Sequence, residues 1–352
     1  MASEKSSASP PISSPAENKL EETLLGQRDE KGNWAPFKRL ECAPIFVWPL
    51  QPVAFLNWLF KRYIFSFNLV YAAVATVFLL FLSPSADTTQ SLSFGWISYL
   101  LIRNALAVII FFGIWHLRLY GTRHQGTAFK YNPHWPKTDS SVFLFRNQNI
   151  DNVIWTLGSG VTIWTAVEVM MLWAHANDFI TPLYFSENPV IFTLLLLAVP
   201  AFRDLHFYLT HRLLHVPVLY KHVHKLHHYN TNPGPWSGLA MHPIEHLLYF
   251  SGVLIHFIIP AHPIHILFQL VHAGLSPAPG HSGFDKIVLD ELGDKQAIDT
   301  HAYTHYLHHK HFECNYANGI IPLDKWFGTF HDGSPEAHSA IRKRSKQRHK
   351  LA

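Results

Sequence analysis

Four apolar stretches constrain the fold before anything else does. Residues 63–82, 95–115 and 153–174 are each long enough to cross a hydrocarbon core of ~30 Å as a helix, and residues 189–202 are shorter but run on into a further helical pattern. The composition agrees, at 48% hydrophobic against 15% charged. A charge inside such a stretch is costly, so Arg103 and Glu168 should face the bundle interior or snorkel toward an interface, and structural ion pairing is the plainer reading for both.

The flanks give an orientation. Lys61 and Arg62 precede the first stretch, Arg118 and Arg123 follow the second, Arg146 precedes the third and Arg203 follows the fourth, whereas residues 83–94 and 175–188 contain no Lys or Arg. Positive-inside counting places those two loops outside or in a lumen, and the basic segments after Arg203 in the cytosol. Residues 1–50 are rich in Ser, Pro, Glu and Lys and read as a disordered tail without the pattern of a cleaved signal peptide. The basic C-terminal tail, residues 332–352, suits anionic lipid headgroups better than nucleic acid. The two cysteines, Cys42 and Cys314, exclude a disulfide framework or a thiolate metal site built from this chain alone.

Histidine supplies the chemistry. Of 26 histidines, 19 lie between His206 and His311, and they recur at helical spacing. On a helix continuing from the fourth stretch, Asp204, Tyr208, His211 and His215 share one face, while His206 points away. His211 and His215 at i and i+4 can converge on one ion, with Asp204 and Tyr208 placed to support them. "HKLHH" sets His224, His227 and His228 at i, i+3 and i+4, and "HYLHH" repeats that spacing with His305, His308 and His309. His242, before a helix-starting proline, and His281, in a Gly-rich turn, are loop-borne candidates; His246, His301 and His311 are open either way. His256, His262, His265 and His272 lie in the apolar run 243–275 and read as hydrogen-bonded core residues.

Eight to ten converging imidazoles exceed what one first-row ion accepts, which argues for two metals in one site. Imidazole suits iron, zinc and copper alike. The expected fold is all-α: an integral-membrane helical bundle of about four spans (residues 51–202), followed by a cytosolic helical cap holding the dimetal site (residues 203–331). Pro260 and Pro263 break the run 243–275 into a helical hairpin. That hairpin must be re-entrant or cross twice, since a single crossing would strand the last histidine box on the wrong side.

"HRLLH", "HKLHH", "HPIEH", "HSGFD" and "HYLHHKHFECNYANGIIPLDKWFGTF" resemble the boxes and C-terminal signature of the fatty acid hydroxylase/sterol desaturase superfamily of membrane di-iron oxygenases. The C-4 methylsterol oxidase and C-5 sterol desaturase branches are most similar, with sphingolipid and fatty-acid hydroxylases as neighbours. The resemblance covers about residues 202–330. It implies two iron ions, with zinc a possible occupant after purification, and O2-dependent hydroxylation or desaturation of a membrane lipid. Electrons would come from NAD(P)H through a separate reductase or cytochrome b5. Location would be the endoplasmic reticulum in a eukaryote, with the boxes facing the cytosol, and the inner membrane in a bacterium. Carried over residue by residue, the ligands would be His211, His215, His224, His227, His228, His305, His308 and His309, completed by His242 and His281. Thr304 stands where relatives often double the histidine opening the last box, a gap that His301 is a candidate to fill. Readings from other classes are a metal transporter or buffer, which should carry its ligands at mid-membrane in broken helices, and a scaffold with degraded boxes. Here the boxes lie beyond the spans and are nearly intact.

Overall fold

The computed structural model describes residues 24–37, 42–289 and 296–351. The chain is predominantly helical. Helix α1 (Pro52–Trp58) passes through a π-helical turn (Leu59–Ile64) into α2 (Phe67–Phe81), bent from it by 45°. Next come α3 (Phe94–His116), α4 (Gln148–Trp155) running on through a π-helical turn into α5 (Thr162–Ala176), and α6 (Pro189–Leu214). Three continuous helices, Phe94–Gly121, Gln148–Ala176 and Pro189–Leu214, are long and apolar enough to cross a membrane, and the bent α1–α2 pair makes a fourth if counted as one span. Their outer faces remain apolar. Ile102, Leu106, Ile110 and Ile114 form an i, i+4 stripe on α3, between 52% and 63% exposed, a surface suited to lipid rather than water.

Inside the bundle the expected ion pair is present. Arg103 donates to Glu168 Oε1 and Asn104 Nδ2 donates to Glu168 Oε2 at 2.9 Å, while Arg103 Nη1 reaches the Leu82 carbonyl at 3.1 Å. Each oxygen of the buried carboxylate accepts from a donor, so the pair ties α3 to α5 without a stranded charge.

The run 243–275 folds as α8 (Pro243–Phe250), a 3₁₀ segment (Ser251–Phe257) and α9 (Pro263–Leu275), with α7 (Lys225–His228) preceding it. At its tip, Ala261 N–H donates to Thr181 O (3.0 Å) and Leu183 N–H to Ala261 O (3.2 Å), so the hairpin reaches the loop between α5 and α6. Its two ends return to the histidines: Ala240 O accepts from His227 and Pro277 O from His281. Down-and-back geometry, the alternative the chemistry demanded, is thus what the chain adopts. Close packing holds it. Gly274 of α9 abuts the Trp164 ring so tightly that any Cβ would collide with it, and His272 bonds Asn68 Oδ1 of α2 at 3.0 Å.

At the histidine end, α10 (Tyr303–His311) and α11 (Pro335–Leu351) join two small antiparallel ladders, β1 (Gly26–Arg28) with β2 (Trp34–Pro36), and β3 (Lys286–Leu289) with β4 (Gln296–Asp299). The first ladder corrects the expectation of a disordered tail through residue 50, at least for residues 24–37. Trp34, 1% exposed, packs edge-on to Phe129, and its N–H donates to Tyr131 O at 2.9 Å. One buried indole outweighs a polar composition, which averaging over the segment conceals. Residues 1–23 and 38–41 lie outside the described residues. The C-terminal segment, expected as a basic tail, is helical.

Replacing Glu168 by Ala leaves Arg103 buried without its carboxylate and should destabilise the protein by about 3–5 kcal/mol, with the double variant Arg103→Met, Glu168→Met recovering most of the loss. Thermal unfolding in detergent measures both; an unaltered Glu168→Ala midpoint would contradict the assignment.

Candidate metal centre

Nine histidines gather into two abutting groups. His211, His215, His224, His228 and His308 form one, and His227, His281, His305 and His309 form the other; within each, one ligand atom per residue lies within 4.8 Å of all the others. The helical spacing works in an unforeseen way. His224 and His228, at i and i+4, face the first group while His227 turns to the second; on α10, His305 and His309 face the second group while His308 turns to the first. Each triplet therefore serves both centres. A short helical turn presents its i, i+4 pair on one side, and the residue between them, offset around the axis, reaches the neighbouring ion.

Outer hydrogen bonds fix which nitrogen points inward. Nδ1 of His211 donates to Tyr316 O (2.9 Å), of His224 to Glu245 Oε1 (2.8 Å), of His227 to Ala240 O (3.3 Å), of His281 to Pro277 O (3.0 Å) and of His308 to Cys314 O (2.6 Å). The four carbonyl acceptors require the proton on Nδ1, which leaves the Nε2 lone pair bare, and an ionised Glu245 does the same for His224. Yet Nε2 of His211 lies 3.2 Å from Nε2 of His224, and Nε2 of His281 lies 3.4 Å from that of His227. Two bare lone pairs cannot hydrogen-bond to each other. They are compatible at this distance only with a cation between them, and the donor set of neutral imidazoles fits a first-row divalent metal in each group.

Burial, reinforced by neighbouring imidazoles, holds His224, His228, His281, His305, His308 and His309 well below the usual histidine range, and burial brings His227 down to about 4. The rings are thus neutral at pH 7, the form that ligates a metal.

His242 does not join either group. It is the N-cap of α8, and its Nδ1 accepts from Ile244 N–H at 3.2 Å, so the Pro243 that makes it a helix start also directs it away from the centre. His301, the candidate substitute in the last box, also lies outside both groups, at a backbone φ of 55°. His246 bonds Ser159 Oγ (3.0 Å) and Leu239 O (3.1 Å), a packing role, and His206 bonds Ser251 Oγ (3.1 Å). His262, His265 and His272 are hydrogen-bonded within the helical core, as expected, whereas His256, expected to be the same, is buried with neither ring nitrogen hydrogen-bonded among the described residues. His311, His331 and His338 form a third cluster, but the His311 and His331 rings stack at 5°, so their lone pairs run in parallel planes and do not converge.

Asp204 and Tyr208 support the site through the loop after α10 and touch none of the nine histidines by hydrogen bond. Asp204 accepts from Asn318 N–H and Ile321 N–H, both at 2.8 Å, and Tyr208 stacks on Phe327 while accepting from Arg212 at 2.5 Å. That loop carries the Tyr316 carbonyl that orients His211. Glu245 was missed by sequence reasoning. The signal was present, since a carboxylate in an otherwise apolar helix beside a histidine box needs a partner, and His224 is that partner.

Beside the two groups lies a cavity of about 210 Å³, lined by His211, His224, His227, His281 and His305 and by Tyr63, Asn68, Pro200 and Arg203. Tyr63, Asn68 and Pro200 also line an adjoining apolar cavity of about 150 Å³ between α2 and α6. Pro200 stands inside α6, where it removes one backbone hydrogen bond and opens the helix wall at this junction.

A paired imidazole centre at one end of an apolar helical bundle defines a class, and the comparisons agree with it. Residues 195–329 match the model of the fatty acid hydroxylase family. Its relatives include a Delta(7)-sterol 5(6)-desaturase of Gibberella zeae, 35% identical over 147 residues (40% of this chain, 44% of the relative), and methylsterol monooxygenase 1 of Gallus gallus, 33% identical over 127 residues (36% and 42%). These are the sterol branches that the histidine boxes resemble. The chain spans less than half the length of these curated relatives. No solved structure matches it.

Purified protein should carry two metal ions per chain, and His228→Ala or His309→Ala should each lose about one, because each removes a ligand from a different group. Elemental analysis decides; loss of both ions in either variant would indicate a single centre. The metal-free protein should lose stability as pH falls from 6.5 towards 4. In that window the unfolded chain binds protons that the buried rings refuse, so stability rises with pH, by at least one proton's worth from His227 alone. Unfolding after chelation tests this, and a flat profile would contradict it.

Proposed function

We propose that this chain is a di-iron oxidoreductase that uses O2 to hydroxylate or desaturate a membrane lipid, a sterol before a sphingolipid or fatty acid. The observation that carries the reading is the pair of opposed imidazole groups beside a cavity that shares Tyr63, Asn68 and Pro200 with an apolar cavity between two candidate membrane spans. Water-dependent hydrolysis needs no such route to lipid, whereas oxidation of an unactivated C–H bond does. Sterol desaturases and methylsterol monooxygenases among the relatives support the substrate class.

The ligands would be His211, His215, His224, His228 and His308 for one iron and His227, His281, His305 and His309 for the other. Bound iron supplies the one-electron chemistry needed to activate O2, which imidazoles alone lack. The protein's own contribution is placement. Glu245 and the carbonyls of Tyr316, Ala240, Pro277 and Cys314 hold the rings, and the Tyr63–Asn68–Pro200 junction would admit the lipid from the side. Whether hydrogen loss ends in an alcohol or an alkene depends on substrate position at a scale of about 1 Å. Electrons would come from NAD(P)H through a separate reductase or cytochrome b5. The histidine end would face the cytosol, at the endoplasmic reticulum of a eukaryote or the inner membrane of a bacterium.

Purified wild type and the double variant His227→Ala, His228→Ala should be assayed with sterols, NADPH and a reductase system by mass spectrometry. The expected result is an oxygen-dependent gain of one oxygen or loss of two hydrogens in the wild type only. Turnover surviving in the variant, or no bound metal in the wild type after iron reconstitution, would overturn the proposal.

A further inference from the structure

Arg203 is unlike Arg103, the other buried arginine among the described residues. Reading flanks from sequence counts it as a cytosolic charge after the fourth stretch, but it lies inside α6, 6% exposed, with its guanidinium lining the same cavity as His211, His227, His281 and His305. Arg103 is neutralised by Glu168. Arg203 forms no salt bridge among the described residues.

The nearby carboxylates are engaged elsewhere. Asp204 gives both oxygens to backbone N–H groups of Asn318 and Ile321, and Glu245 Oε1 is taken by His224. The guanidinium has one hydrogen-bond partner, the Tyr249 hydroxyl, whose own proton goes to the Ala273 carbonyl at 2.9 Å. Its carbon also sits 4.9 Å over the Tyr249 ring. This contact orients the fork without neutralising it, and Nε is buried with no hydrogen-bond partner. Arg62, exposed on the π-helical turn before α2, adds a second cation to the cavity wall.

A buried guanidinium held in place and left without a carboxylate is a receptor for one. We propose that Arg203 receives an oxyanion, a carboxylate, on the lipid substrate, so that the substrate is an acidic lipid rather than one headed by a neutral hydroxyl. The inference rests on the reading of this cavity as the oxidation site. Arg203 and His211 are eight residues apart on one helix, about 12 Å along its axis. The oxidised carbon then lies across a ring system or a comparable chain from the acid group, and the head anchors the body of the lipid under the two histidine groups.

The test uses the full-length, metal-loaded protein in detergent and two matched probe pairs: cholesteryl hemisuccinate with cholesterol, and oleate with oleyl alcohol. Displacement of a fluorescent lipid reports affinity without turnover. In the wild type the acidic member of at least one pair should bind about tenfold tighter than its neutral partner. In Arg203→Gln the preference should fall to within about twofold, with Arg203→Lys between, and metal content near wild type should show that the fold is intact. Where Arg203→Gln does not load metal, Arg203→Met, which keeps the apolar stem, carries the comparison. Equal affinities within both pairs in the wild type would overturn the inference whatever the variants do, as would a preference undiminished in the metal-loaded variant. Acid preference without any oxidation would instead sink the oxygenase reading alone, and oxidation of a neutral sterol with no acid preference would sink only the role of Arg203.

Discussion

Imidazole lone pairs facing one another at about 3 Å in a dry interior are the interaction on which the rest of this structure depends. Nε2 atoms of His211 and His224 sit 3.2 Å apart with their protons committed to the outer side, to a carbonyl and a carboxylate. Without a cation that arrangement is repulsive, and the surrounding elements are built to hold it regardless. Four backbone carbonyls from three separate segments hold the outward-facing Nδ1 atoms in place, and Asp204 anchors the loop that provides two of them. The polar network of Gln148, Asn152 and Asn230 fixes the turn after α7 to the top of α4, with Asn230 Oδ1 accepting from both neighbours at 2.9 Å. Rigid support of this kind is what a metal ligand set needs if two ions are to keep a fixed separation.

The membrane-type bundle and the centre constrain each other through the hairpin of α8 and α9. His227 and His281 belong to one group, yet 53 residues of largely apolar chain separate them. Only a segment that leaves and returns to the same end can bring them together. The hairpin does so by making its deepest contact, Ala261, with the loop at the opposite end, and by burying nearly all of α9 against α2, α5 and α6. Its interior His265 and His272 then become ordinary hydrogen-bonding residues rather than ligands. Proximity to the centre does not by itself recruit an imidazole; a free Nε2 aimed inward does.

Helical spacing made the three boxes legible, along with the buried Arg103–Glu168 pair and the return of the hairpin. Periodicity reports which residues share a face of one helix, and these features are set within a helix or by the need to reach one side. What the spacing did not reveal depends on contacts between segments. The division of each triplet between two ions follows from where neighbouring helices sit, and His242 is diverted by its own role as an N-cap. Trp34 shows the same limit at the N-terminus, where one indole orders a segment whose composition argues against order.

Arg203 shows most clearly why a charge must be located before it is interpreted. The positive-inside pattern is a statement about numbers of Lys and Arg near the ends of spans, and it treats every such residue as solvated. α6 runs 26 residues, about 39 Å, so it extends past the apolar stretch that defines its span and carries a nominal flanking arginine into the protein interior. There the same charge has a different physical meaning. In water it would bias topology and do little else, whereas on the wall of the cavity beside the histidines it bears on what can bind there. Selectivity for a substrate head and orientation in the membrane thus draw on one residue, and only its burial separates the two roles.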